Sequence, residues 1–216
     1  PDRGFYNGAD PADIVAGKES LGIQHVAASG IAGRGVLLDV SGYRKFCGRP
    51  VDHRTNEQIG VEDLVETARW QNVALEPGDI VLLRFGWTEH FVVDANPYEG
   101  RSVGLEQSEE MAAWLWDSQF ALVAADNVAL EAWPSDHSGL PTVQAEATGA
   151  LPHSSHTGML HRILIPLLGI YIGELWDLEE LSQRCRDIGR FEFLVTAEPL
   201  NLLGGVGSPA NALAIL

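Results

Sequence analysis

From 35 to 40 the chain reads Gly-Val-Leu-Leu-Asp-Val, an aliphatic and β-branched run that predicts a buried strand. Pro77-Gly78 turns the chain into a second such run, Asp79 to Phe85, and Ala121 to Ala125 forms a third that ends at Asp126-Asn127. Between the first two, Val61, Leu64, Val65 and Ala68 fall at i, i+3, i+4 and i+7, the stripe of an amphipathic helix. Ser108 is placed to cap a helix that carries Met111, Trp114 and Leu115 on one face. Asp177 with Glu180 three residues on resembles a capping box and opens a helix through about Cys185. Phe191 to Thr196 alternates in part, as a half-buried strand does, and the last apolar strand follows the glycine-rich stretch 204–209. The stretches 1–35, 86–106 and 131–160 read as loops. Strands alternate with helices, without an internal repeat or a disordered linker, which predicts a single α/β domain over 1–216.

Composition narrows the class. At 216 residues, 45% hydrophobic and 20% charged, the chain is long enough for a sizeable core and has the balance of a soluble globular protein. The formal charge of −16 repels phosphate backbones and anionic bilayers, and no basic run offsets it, so nucleic-acid and membrane partners are excluded. The longest apolar run, Ile163 to Ile172, is too short to span a bilayer and contains Pro166. Two distant cysteines, Cys47 and Cys185, make no disulfide framework and lie in no nucleophile motif; a reducing cytoplasm is the expected setting. A chain that opens on Pro1 rather than Met is expected to continue upstream.

The candidate chemistry lies in the unit from His161 to Leu175. A helix from 161 to 168 would rise about 10 Å, and a strand from 170 to 174 would travel back roughly 13 Å. If Gly169 reverses the chain, His161 and Glu174 finish near one another at one end. Imidazole and carboxylate together suit zinc or manganese. Spacing alone fits a structural histidine and a surface glutamate better than it fits a ligand pair. His153 and His156, two loop residues, match no standard metal spacing. The Gly204-to-Pro209 stretch lacks the Lys-Ser/Thr ending of a phosphate loop and reads as a tight turn. Asp126-Asn127 fits ligand orientation and strand termination equally. No Gly-x-Ser-x-Gly elbow occurs.

In order along the chain, Gly33 to Val40, Pro77 to Trp87, Ala125 to Glu131, His161 to Leu175 and Gly205 to Ala212 resemble the cyclase family of metal-dependent hydrolases. That family includes kynurenine formamidases and isatin hydrolases. The resemblance implies a swivelling β/β/α fold, frequent homodimerisation and a divalent ion, zinc or manganese. It implies that His161 and Glu174 are metal ligands. The family's main motif, His-x-x-Thr-His-x-Asp-x-x-x-His, is absent here, and by resemblance it would lie just before Pro1, with the catalytic histidine in it. Phe5-Tyr6-Asn7-Gly8 resembles a tetrapeptide that closely follows that motif in the longer branch of the family. The expected activity is hydrolysis of an amide bond in a small aromatic or cyclic substrate, with Phe5, Tyr6 and Trp87 as candidate walls for a planar aryl amide. The rival expectation is a catalytically inert binding or structural domain that keeps the fold without the main metal motif.

Overall fold

The computed structural model describes residues 4–15, 17–152, 154 and 156–216. Its centre is a six-stranded mixed sheet. Three parallel neighbours, β1 (Ile31–Leu38), β3 (Ile80–Leu83) and β5 (Leu122–Ala125), form its middle, and β6 (Tyr171–Gly173) extends it in parallel from β5. On the other side β7 (Glu192–Ala197) runs antiparallel to β1, and β8 (Leu213–Ile215) antiparallel to β7, giving the order β6-β5-β3-β1-β7-β8. A second, two-stranded sheet pairs β2 (Gln58–Ile59) with β4 (Gly104–Leu105).

β3, β5 and the second half of β1, Val36 to Leu38, are apolar at every position because both sheet faces are covered there, as parallel sheets require. Val36, Leu38, Val81, Leu83, Val123 and Ala125 point into one core. There they meet Leu64 and Ala68 of α3 (Val61–Trp70) and Met111 and Leu115 of α4 (Glu109–Asp117). The alternate residues Leu37, Ile80, Leu82, Leu122 and Ala124 join a second core with Cys185 of α7 (Glu179–Ile188). The Ser108 cap foreseen from sequence is present, its Oγ accepting from Met111 N at 3.1 Å. The helix after Asp177 is present too, but not through a capping box: Leu178 is its N-cap without a side-chain cap bond, and Asp177 Oδ1 accepts from Glu179 N at 3.2 Å in the turn before it. No helix of the described residues is long and apolar enough to cross a membrane.

Several stretches expected to be loop are ordered. The strand expected from Gly35 starts four residues earlier, at Ile31. Gly33, Arg34 and Gly35 hide it in the sequence, yet Arg34 faces the Asp79 carboxylate at 2.8 Å, and at Gly35 a Cβ would sit 2.3 Å from Val195 Cγ2. Before it lies α1 (Gln24–Ser29), and after it α2 (Val40–Phe46), whose first turn is capped by Asp39 accepting from Gly42 N at 3.0 Å. The stretch 86–106 holds a π-helical turn at Glu89–Val93 as well as β4, and 131–160 holds α5 (Pro141–Ala147). The helix opened by His161, α6 (His161–Leu164), is one turn rather than two. Pro166 supplies no N–H, so regular helical bonding cannot continue through it.

One loop contact has a pH signature. His53 Nε2 donates to Phe85 O at 2.9 Å, and its ring stacks on His90 with centroids 4.8 Å apart. Burial lowers the His53 pKa below its usual 6.5, with the Phe85 carbonyl acting against the shift. A histidine that binds its proton less well when folded costs stability as the pH falls below about 6.5. Thermal melts at pH 5 and 7.5 should therefore show a larger acid loss for the wild type than for His53→Gln, which retains a donor for the carbonyl.

Candidate metal centre

The parallel strands β3, β5 and β6 end on the same edge of the sheet, and the two residues after β5 tie those ends together. The Asp126 carboxylate accepts from the backbone N–H of Phe85 (2.8 Å), Gly86 (2.8 Å) and Trp87 (2.9 Å). Burial pushes this carboxyl up to about 7, while the N–H donors pull it back towards the ionised form. Asn127 O accepts from Leu175 N at 3.0 Å, which fixes the residue next to Glu174. Asn127 Nδ2 donates to Val103 O at 2.8 Å and makes longer contacts with Leu130 O and Glu131 O. The dipeptide that could have been a mere strand terminator is thus the frame of the site.

On this frame His161 lies between two carboxylates. Its Nε2 is 3.1 Å from Glu174 Oε1, and its Nδ1 is 2.9 Å from Glu131 Oε2 and 3.0 Å from Oε1. The His161 backbone N–H also donates to Glu131 Oε1, at 3.3 Å. The Glu131 side chain is fully buried, whereas the Glu174 side chain is about one-third exposed (34%). Burial pulls the imidazole down, but the two carboxylates more than offset it and raise its pKa to about 9. Gly169, at φ 66°, makes the expected reversal between α6 and β6.

Tyr6 closes that reversal from outside. Its N–H donates to Pro166 O at 2.8 Å, and its ring lies so close to Gly169 that a Cβ there would be 2.2 Å from Tyr6 Cδ1. Phe5 precedes it, half-buried. The structure thereby seats the described start of the chain on the His161 unit. Trp87, which Asp126 holds by its N–H, packs its indole with Phe91 (5.1 Å) and Tyr98 (5.9 Å) rather than with the Tyr6 ring. The two parts of the expected aromatic wall therefore belong to different contacts. His153 lies outside the described residues, and His156 is exposed.

The donor set fits a small divalent cation. Two ligands about 2.1 Å from one zinc ion in a tetrahedral shell are themselves separated by roughly 3.4 Å, a little more than the 3.1 Å of the direct contact between Nε2 and Oε1 here. An imidazole nitrogen with a carboxylate oxygen matches zinc or manganese. Among the described residues no group of three or more His, Cys, Asp or Glu could hold an ion, so His161 and Glu174 would supply part of a shell.

Glu131 is the site residue that sequence reasoning missed. The available signal was a lone carboxylate inside the otherwise apolar run Val128 to Trp133. The backbone packs against it so tightly that a Cβ at Gly104 would sit 2.3 Å from Glu131 C and 2.4 Å from its O. Gly104→Ala should cost about 1–3 kcal/mol, as overpacking does, and displace Glu131. A shift in the denaturant midpoint, with a parallel loss of metal affinity, checks this.

The family described as "Putative cyclase" matches residues 10–132, more than half of the chain. The chain belongs to this cyclase family. The matched stretch contains Asp126, Asn127 and Glu131 and ends before His161 and Glu174. A solved structure described as a novel cyclase is 33% identical, with a TM-score of 0.76, and covers 99% of this chain. Isatin hydrolase A from Ralstonia solanacearum is 19% identical over 90% of the chain, with a TM-score of 0.59. A potential metal-dependent hydrolase with cyclase activity is 20% identical over 85% of it, with a TM-score of 0.50. The chain spans 64% of the length of each of these three. At such identities the last two establish the mixed α/β fold alone. Among curated proteins none matches the chain.

Proposed function

We propose that this chain forms part of a metal-dependent hydrolase that cleaves the C–N bond of an amide in a small aromatic or cyclic substrate. The observation that carries the reading is the convergence of His161 Nε2 and Glu174 Oε1 to 3.1 Å at the end of a sheet held by Asp126 and Asn127. The hydrolase names of structural neighbours support it. A divalent ion, zinc or manganese, would polarise the amide carbonyl and bring a water near neutral pKa.

This chain's residues have three tasks in that reading. His161 and Glu174 hold the ion from one side. Tyr6 closes the His161 reversal from outside; by resemblance the remaining ligands and the histidine that protonates the leaving nitrogen belong to the family's main motif, which this sequence does not contain. Trp87, with Phe91 and Tyr98, offers aromatic surface for a planar substrate. Homodimerisation is consistent with the outer strand β8, where Leu213 (65%) and Ile215 (55%) stand exposed beside Leu194; the mass in solution tests it.

The deciding experiment joins metal quantification of the native protein with a hydrolysis assay on isatin and N-formylkynurenine. A stoichiometric ion with turnover of either compound supports the proposal. A metal-free protein inert towards both would favour the inert binding domain instead.

A further inference from the structure

Glu131 makes an arrangement that metal coordination alone does not require. Its side chain is fully buried, and among the described residues its ion-pair partner is His161. Burying a carboxylate is costly unless donors meet it, and here both donors come from one residue, the His161 N–H and Nδ1. The backbone around it is fixed as well. Glu131 N donates to Ala129 O at 2.6 Å, Leu105 N donates to Leu130 O at 3.0 Å, and Ala132 N donates to Leu105 O at 2.9 Å. Gly104 packs against its carbonyl. The carboxylate therefore has one position, fixed before any ligand arrives.

An ionised carboxylate can only accept, so the nitrogen facing it must carry the proton. We infer that Glu131 is a positioning residue that fixes His161 as the Nδ1–H tautomer in a single ring orientation and leaves Nε2 as the donor facing Glu174. The inference rests on the proposed metal site for its functional meaning and on the Glu131–His161 geometry for its content. Without Glu131 the ring could carry its proton on Nε2, or turn, and either change removes the nitrogen that faces Glu174. A carboxylate behind a ligating histidine raises metal affinity by this route, and its loss typically costs 10–100-fold.

The test uses histidine-labelled protein and two substitutions. In the wild type above pH 9, where the ring is neutral, 15N-edited spectra should show a protonated Nδ1 and a bare Nε2 on His161, a pattern that persists in Glu174→Gln and is lost in Glu131→Leu. The affinity for Zn2+ or Mn2+ should fall about 10–100-fold in Glu131→Leu, with unchanged circular dichroism. Glu131→Gln, which retains an acceptor, should recover part of it. If Glu131→Leu does not fold, Glu131→Gln carries the test, with an expected loss of about tenfold. Wild-type spectra without that pattern, or metal affinity unchanged in the variants, would overturn the inference. A wild type that binds no ion would instead remove the metal reading, and the 15N shifts of both ring nitrogens above pH 9, protonated Nδ1 beside bare Nε2, would then decide the tautomer on their own.

Discussion

Glu174→Gln is expected to lose bound metal and hydrolytic activity together, each by roughly 100-fold or more, since removing a ligand should exceed the 10–100-fold cost of losing its supporting partners. The amide is nearly isosteric with the carboxylate, and the side chain is partly exposed, so the fold has little reason to respond. Proton competition adds a pH dependence. With the His161 pKa raised to about 9, a cation must displace the Nε2 proton at neutral pH. Affinity should therefore climb with pH up to about 9 in the wild type. Glu174 is one source of that raised value, so the variant should show a shallower climb and a deficit that grows from pH 7 to pH 9. The metal-free protein should show the same linkage in stability. The folded pKa lies above the usual 6.5, so the contribution is complete below 6.5 and disappears as the pH rises through about 9. Isothermal titration at three pH values, beside melts of the metal-free protein, checks both. Wild-type affinity in the variant would remove Glu174 from the centre.

What the sequence revealed depended on whether a contact was local. Apolar runs such as Ile80 to Leu83 were legible because both faces of a parallel strand are buried, and the α3 stripe because Leu64 and Ala68 repeat at the helical period. The return from His161 to Glu174 was legible too, because it needed only a short helix, a glycine at positive φ and a strand. Glu131 was not, since its partner lies thirty residues away and no spacing rule joins a loop carboxylate to a helix start. The same applies to the Asp126 bonds, which cross to a neighbouring strand end about forty residues earlier. The Tyr6 contact was hidden for a related reason: nothing in Phe5-Tyr6 specifies that the Tyr6 ring lies on Gly169. The β1 start was concealed by Arg34, whose charge is met by Asp79 in the folded chain.

Asp126→Ala is expected to have the largest effect on folding of any single change at this edge. It would leave the N–H groups of Phe85, Gly86 and Trp87 without their acceptor, where Phe85 is fully buried and Gly86 is buried beside it. An unsatisfied buried donor costs about 1–3 kcal/mol, so the three together reach roughly 3–9 kcal/mol, a large part of the 5–15 kcal/mol typical of a whole domain. The turn they hold has Gly86 at φ 83°, so the chain there leans on the carboxylate rather than on its own regular hydrogen bonds. Asp126→Asn separates charge from shape. Its amide oxygen can still accept, but its NH2 group would face an N–H, and an intermediate loss of about 1–3 kcal/mol follows. Urea unfolding of both variants measures the order. If Asp126→Ala unfolds at the wild-type midpoint, the three bonds do not hold the strand ends, and the site has no frame of the kind described. If the order is as expected, metal affinity should follow it, because Asn127, the next residue, holds Leu175 beside Glu174 and the carbonyl of Glu131.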